Sequence, residues 1–350
     1  MENQLSQLAE IILETIKDYH NYQGFQFSSS NILEWVNQFD ENDRVFILEE
    51  FSHLLNQGIY CSETKARELL IQRIKYLSAI NKFSNPMEFL SHTVFLRLQN
   101  SGKSQDILLG ILDQELIKIY GFGVNQCGKV SQKYIIYLDD ILATGKTVLS
   151  DCLKWLPLQD ASGKSNLNKI LGGEIIFIVS LLCYHNNNNV LWSLKLQFNQ
   201  DAILKKVLFY SDYKVENHPK FQNQQLNFAY PISNQPQNVL NYFDNLPAST
   251  KANVAFRNPI LPSKETFFST PENRIRFENI LLSKGVELLS KANNLKPNHR
   301  PLGATFPSYK TLGTGTLFFT WSNVSNTCPI IFWWKAGGWK PLFPLRGRGL

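Results

Sequence analysis

The stretch from Lys133 to Leu156, KYIIYLDDILATGKTVLSDCLKWL, constrains the fold more than any other part of the chain. Residues 134–138 are a short apolar run rich in β-branched and aromatic side chains, the pattern of a buried strand. Asp139 and Asp140 stand where that strand is expected to end. A short connection closes on Thr-Gly-Lys-Thr, and Val148, Cys152, Trp155 and Leu156 fall at helical spacing. A strand, a loop of small residues and a helix in this order form an anion site. Free backbone N–H groups and the positive end of the helix dipole converge at such a loop.

Two kinds of phosphate loop use this geometry. A Walker A loop, Gly-x4-Gly-Lys-[Ser/Thr], matches only in its second half, because its first glycine falls on Asp140. The same failure recurs at Gly102-Lys103-Ser104, where the first glycine falls on Arg97. That glycine lets the backbone curl around a polyphosphate, and a carboxylate in its place repels one. The acid pair followed by Thr-Gly-x-Thr instead resembles the ribose-5-phosphate loop of type I phosphoribosyltransferases. Adjacent carboxylates suit a sugar diol, each accepting a hydrogen bond from one hydroxyl. A monophosphate is then expected over the N–H groups of Ala143, Thr144, Gly145, Lys146 and Thr147, with the two threonine hydroxyls donating. The plainer alternative is an acidic helix cap and a glycine turn with no ligand.

An enzyme of this kind also needs a pyrophosphate loop after an earlier strand. Residues 93–98 (TVFLRL) read as a strand, 99–104 (QNSGKS) as a tight loop and 107–119 as a helix. Lys103 is expected to face the diphosphate as a point charge, helped by Ser101, Gly102 and Ser104. A serine-capped surface turn is the alternative.

Around this centre the chain reads as three segments. Residues 1–85 are expected to be helical, with Ser30, Asp40 and Ser62 as caps and Pro86 punctuating the end. Residues 86–215 repeat strand, loop and helix, which predicts an α/β core with a doubly wound, mainly parallel sheet. In that core 121–130 is expected as loop, 174–184, 190–198 and 206–210 as strands, and 185–189 (HNNNN) as a turn. Residues 216–350 form a C-terminal α+β extension, in which 214–262 show little period. A long helix starts at Thr270-Pro271-Glu272, and an aromatic, basic tail follows.

Composition narrows the function. Hydrophobic residues make up 43% and charged residues 18% of the 350, an ordinary globular balance. The longest apolar run, 175–184, is about half the ~20 residues a membrane span needs. The N-terminus has an early Glu2 and an amphipathic pattern, unlike a signal or transit peptide. Five scattered cysteines with no CxxC argue for a reducing cytoplasm and against structural zinc. The net charge of +6 is uneven, since residues 288–350 hold eight Lys or Arg and no acid. In the tail, Lys335, Lys340, Arg346 and Arg348 interleave with Trp333, Trp334, Trp339 and Phe343. That mixture suits single-stranded nucleic acid, and it equally suits a terminal hairpin with packed tryptophans and a solvated rim of lysines.

Three features together resemble the phosphoribosyltransferase-like proteins of bacterial conflict systems (the PRTase-CE group), some of them encoded beside reverse transcriptases in retrons. They are EWVNQFDENDRVFILEEFSHLL leading to a strand with SGKS, the DDILATGKT loop with Lys146, and TLFFTWSNVSNTCPIIFWWKAGGWKPLFP. The resemblance implies a type I phosphoribosyltransferase fold and a cytoplasmic antiphage effector or accessory protein. It implies a ligand of the phosphoribosyl pyrophosphate (PRPP) type with Mg2+, no metal ligand being assigned beyond Asp139 and Asp140 acting with the substrate. Lys103, Asp139 and Asp140 are then the expected catalytic groups. Partners implied are a retron reverse transcriptase and its RNA or DNA. The alternative is a non-catalytic nucleotide- or nucleic-acid-binding module in such a complex. The hood and base-recognition segments of salvage enzymes are not recognisable, so the acceptor stays open.

Overall fold

The computed structural model describes residues 2–217, 225–247, 255–293 and 295–345. The chain divides into two compact units, one of Met1–Ser62 with Val215–Leu350 and one of Glu63–Lys214. The three segments read from the sequence are thus grouped differently in space, the two chain ends sharing one unit.

The first unit opens with α1 (Glu2–Ile16), α2 (Ser29–Val36) and α3 (Glu41–Asn56). Their formation follows the apolar stripes; in α1 the buried positions are Leu5, Ala9, Ile12 and Ile16, one helical face. The cap of α2 is Ser28 rather than Ser30, because the Asn31 side chain returns to accept the Ser28 N–H at 2.9 Å. A two-residue strand, β1 (Tyr60–Cys61), closes this part.

The second unit begins with α4 (Glu63–Ile80) and α5 (Pro86–Ser91). Pro86 opens a helix, with the Asn85 side chain accepting from the Glu88 N–H at 2.9 Å. Next come β2 (Thr93–Phe95), α6 (Ser104–Tyr120), β3 (Tyr134–Leu142), α7 (Lys146–Trp155) and α8 (Asn166–Leu171). They are followed by β4 (Ile176–His185), α9 (Val190–Phe198), α10 (Ile203–Lys206) and β5 (Val207–Val215). The four strands form one sheet in the order β2-β3-β4-β5. β3 pairs parallel with β2, Thr93 opposite Tyr134, and parallel with β4, Tyr134 opposite Ile176 through Leu142 opposite Tyr184.

Alternate residues divide the sheet between two layers. Ile135, Tyr137, Phe177 and Val179 pack with Val148, Cys152 and Trp155 of α7 and Leu194 of α9. Ser180 and Leu182 share a small cavity with Leu69, Leu70 and Arg73 of α4 and Leu108 of α6. Cover on both faces explains why β3 and β4 read as nearly unbroken apolar runs. The fold is therefore mixed α/β around a four-stranded sheet.

One expected strand is a helix. Residues 190–198 (VLWSLKLQF) alternate in part, but Val190 and Leu194 are buried one turn apart, and Asn199 ends the helix in the left-handed region at φ 51°. The loop expected at 121–130 contains a single 3-10 turn, Val124–Gln126.

The chain then returns to the first unit as α11 (Gln237–Asp244), α12 (Pro271–Ser290), β6 (Phe319–Thr320) and β7 (Asn323–Val324). Thr270 caps α12 as expected, accepting the Asn273 N–H at 3.0 Å. β1 pairs parallel with β6, and β6 antiparallel with β7. Trp333, Trp334, Trp339 and Phe343 are buried, and the indole N–H groups of Trp339 and Trp35 both donate to Ile331 O. Lys335 and Lys340 are exposed; Arg346 and Arg348 lie outside the described residues. Arg274 of α12 is buried between Glu265 and Glu278, over the ring of Phe268. It also donates to the carbonyls of Leu226 and Phe228, holding that loop to the helix. Among the described residues no helix is long and apolar enough to cross a membrane.

Two measurements test this account. Arg274→Ala removes the ion-pair partner of buried Glu265 and leaves Glu278 with Arg257 alone, and is expected to cost about 3–5 kcal/mol in urea unfolding. His185, fully buried at the end of β4, has its pKa lowered by burial to about 3. Between pH 6.5 and about 3 only the unfolded chain takes up that proton, so stability falls as the pH falls. Between pH 7 and pH 5 the wild type is expected to lose about 2 kcal/mol more than His185→Gln, read from urea midpoints at both pH values.

Candidate ribose phosphate and pyrophosphate loops

Because β2 and β3 run parallel, both expected loops leave from the same end of the sheet. β3 does not stop before the acid pair. It runs through Asp139 and Asp140 to Leu142, because its ladder to β4 continues to Tyr184. Ala143 and Thr144 then lead to Gly145, which precedes α7. Gly145 has φ 73°, and a Cβ there would lie 2.2 Å from the Val190 side chain, so only glycine fits between the turn and α9. No side chain caps α7 at Gly145, and Lys146 and Thr147 are exposed. The first N–H groups of α7 thus face an open, electropositive end.

The other loop is shorter than the sequence suggested, since α6 starts at Ser104 rather than near Ile107. Ser104 is the first helical residue, Lys103 the residue before it, and Gly102 turns the chain at φ 77°. Ser101, Gly102 and Lys103 are exposed. Gln105, fully buried, fixes the start of the loop: its Oε1 accepts the N–H groups of Leu98 at 2.6 Å and Gln99 at 3.0 Å, and its Nε2 donates to Leu138 O. Asp106 Oδ2 accepts the Gly102 N–H and the Ser101 hydroxyl, both at 3.0 Å.

The two loops meet at Asp139. Its Oδ1 accepts the Ser104 hydroxyl at 2.5 Å and the Asp140 N–H at 3.0 Å. Its Oδ2 accepts from Gln99 Nε2 at 3.4 Å. Gln99 also donates to the Tyr137 hydroxyl at 2.8 Å, which in turn donates to Asp151 of α7 at 2.8 Å. A polar chain therefore runs through the sheet edge from α7 to α6. Both acidic side chains are largely enclosed, Asp139 and Asp140 each being 4% exposed. Loss of solvent, and then the neighbouring Asp140 charge, hold the Asp139 pKa well above the usual carboxylate range. Asp140 Oδ1 accepts the Ile141 N–H at 2.7 Å.

Every residue singled out in the two loops thus lies on one edge of one unit, and Ser104 and Asp139 are in direct contact. Sequence reasoning did not give Gln105, Asp106, Tyr137 or Asp151 a part. The available signals were an acid at the third position of α6, and a polar residue on the apolar face of α7. Among the described residues no group of three or more His, Cys, Asp or Glu side chains could hold a metal ion alone. A magnesium ion keeps most of its ligands as water and substrate phosphate and takes one or two carboxylates, so Asp139 and Asp140 would be the protein's share if one were bound.

A scan against protein families matches the PRTase-CE model over residues 32–345. Comparison with curated proteins and with solved structures finds no match. The family match covers nearly the whole chain and includes both loops and the buried tryptophans, and so the chain belongs to the PRTase-CE family and is phosphoribosyltransferase-like.

Proposed function

We propose that the protein binds PRPP or a related ribose phosphate across its two loops and transfers or cleaves at the anomeric carbon. The observation that carries this is the hydrogen bond from Ser104 to Asp139, which joins the start of one anion loop to the acid pair of the other. The 5-phosphate lies over the N–H groups of residues 143–147, with the Thr144 and Thr147 hydroxyls donating. The ribose hydroxyls donate to Asp139 and Asp140. The diphosphate lies along residues 101–104, and Ser104 changes partner from Asp139 to a phosphate oxygen.

In the reaction the bond from C1 to the diphosphate oxygen breaks, and the diphosphate leaves with the electron pair. Lys103 stabilises that departing charge, while the acid pair holds the sugar as positive character builds on C1 and the ring oxygen. When bound, Mg2+ neutralises part of the diphosphate charge. An acceptor, or water, supplies the new bond to C1. The biological setting we propose is a cytoplasmic antiphage system, with a retron reverse transcriptase and its RNA or DNA as partner. A nucleic-acid-binding role through the tail finds no exposed ring among Trp333, Trp334, Trp339 and Phe343, all of which are buried.

Calorimetry with PRPP and Mg2+ tests the site. Asp139→Asn/Asp140→Asn is expected to lose at least about tenfold in affinity, since charged acceptors hold hydroxyls more strongly than amides. Affinity equal to wild type sinks the assignment. The single variant Asp139→Asn removes a desolvated charge and keeps an acceptor for Ser104, so its Tm at pH 7 is expected to rise while ligand binding falls. A lower Tm with unchanged binding would make Asp139 a purely structural residue.

A further inference from the structure

The donors assigned above to a diphosphate already hold an anion. Asp106 Oδ2 takes the Gly102 N–H and the Ser101 hydroxyl, each at 3.0 Å, and Asp106 Oδ1 pairs with Arg97. Helix capping alone does not account for this arrangement. An acid at the third helical position ordinarily returns to the N–H of the residue just before the helix. Here that N–H, of Lys103, goes to Asn100 O at 3.2 Å, and Asp106 reaches past it into the loop. The left-handed turn at Gly102 directs its N–H to the carboxylate. That hydrogen bond is the main reason the Asp106 pKa lies below its ordinary value, so the group is ionised at neutral pH.

We infer that Asp106 is a specificity-determining residue of the pyrophosphate loop, an internal carboxylate that occupies its anion donors and yields to a diphosphate but not to a single phosphate. The inference rests on the proposed function, because it concerns what the 99–104 loop admits. A tethered carboxylate competes at high effective concentration, so an anion that merely replaces it gains little. A diphosphate gains more. Its second phosphoryl group reaches the exposed Lys103, and displacement of Asp106 releases Arg97, itself exposed, to pair with phosphate oxygens.

Calorimetry on the full chain, with inorganic pyrophosphate, inorganic phosphate and ribose 5-phosphate as separate probes, tests this. Asp106→Asn keeps an acceptor for Gly102 and removes the competing charge. It is expected to bind pyrophosphate about tenfold more tightly than wild type, to gain measurable phosphate binding, and to leave ribose 5-phosphate unchanged. Unchanged or weaker pyrophosphate binding in the variant, with ribose 5-phosphate still bound, overturns the inference alone. Absence of ribose 5-phosphate binding to wild type overturns the proposed function, and the inference with it. Should Asp106→Asn not fold, the Gly102 amide resonance of 15N-labelled wild type decides. Movement on pyrophosphate addition but not on phosphate addition supports the exchange, and any other response refutes it.

Discussion

A carboxylate in an apolar interior needs donors on every side, and the way Asp139 meets that need organises the whole sheet edge. Its donors come from three places: the first turn of α6 through Ser104, the following peptide through Asp140, and the loop after β2 through Gln99. None of the three can shift without leaving a buried carboxyl oxygen short of a donor. The requirement therefore sets where α6 begins, how the QNSGKS loop sits, and which way Gln99 points. Tyr137 and Asp151 extend the same chain to α7, so both helices that follow the candidate loops are referenced to one side chain.

This arrangement gives the two loops different characters. The 143–147 turn is fixed by sterics, since Gly145 lies against Val190 and has no room for a Cβ. Its anion donors are left at an uncapped helix start. The 99–104 loop is fixed by polar contacts, with Gln105 beneath it and Asp106 across it. A rigid turn suits one invariant phosphate. Under the proposed function, a loop held by exchangeable hydrogen bonds suits a group that must be admitted and then released as a leaving group.

The loops after β2 and β3 and the helices that follow them were legible in the sequence because each combines a periodic signal with local turn chemistry. The central strands β3 and β4 were legible for a related reason: burial on both faces leaves a run of apolar residues that few other elements show. Residues 190–198 misled because SLKLQ alternates like a strand, while the contacts that decide for a helix, Val190 and Leu194 against α7, are remote in sequence. The roles of Gln105 and Asp106 were hidden because both depend on partners that only the closed loop brings near. The tail was readable in character but not in arrangement. Its tryptophans are buried, yet nothing local shows that Ile331 O receives two indole N–H groups, one of them from Trp35.

The first unit is built from both ends of the chain, with β1 paired to β6 and Trp35 bonded to Ile331. The second unit is continuous from Glu63 to Lys214. Vectorial synthesis then imposes an order. The sheet that carries the loops has all its residues once Val215 has left the ribosome, whereas α1 to α3 can pack on one another at once but wait for α12 and the aromatic segment to cover their remaining apolar surface. That remaining surface, around Trp35, is open to holdase chaperones for as long as its partners are still to be made.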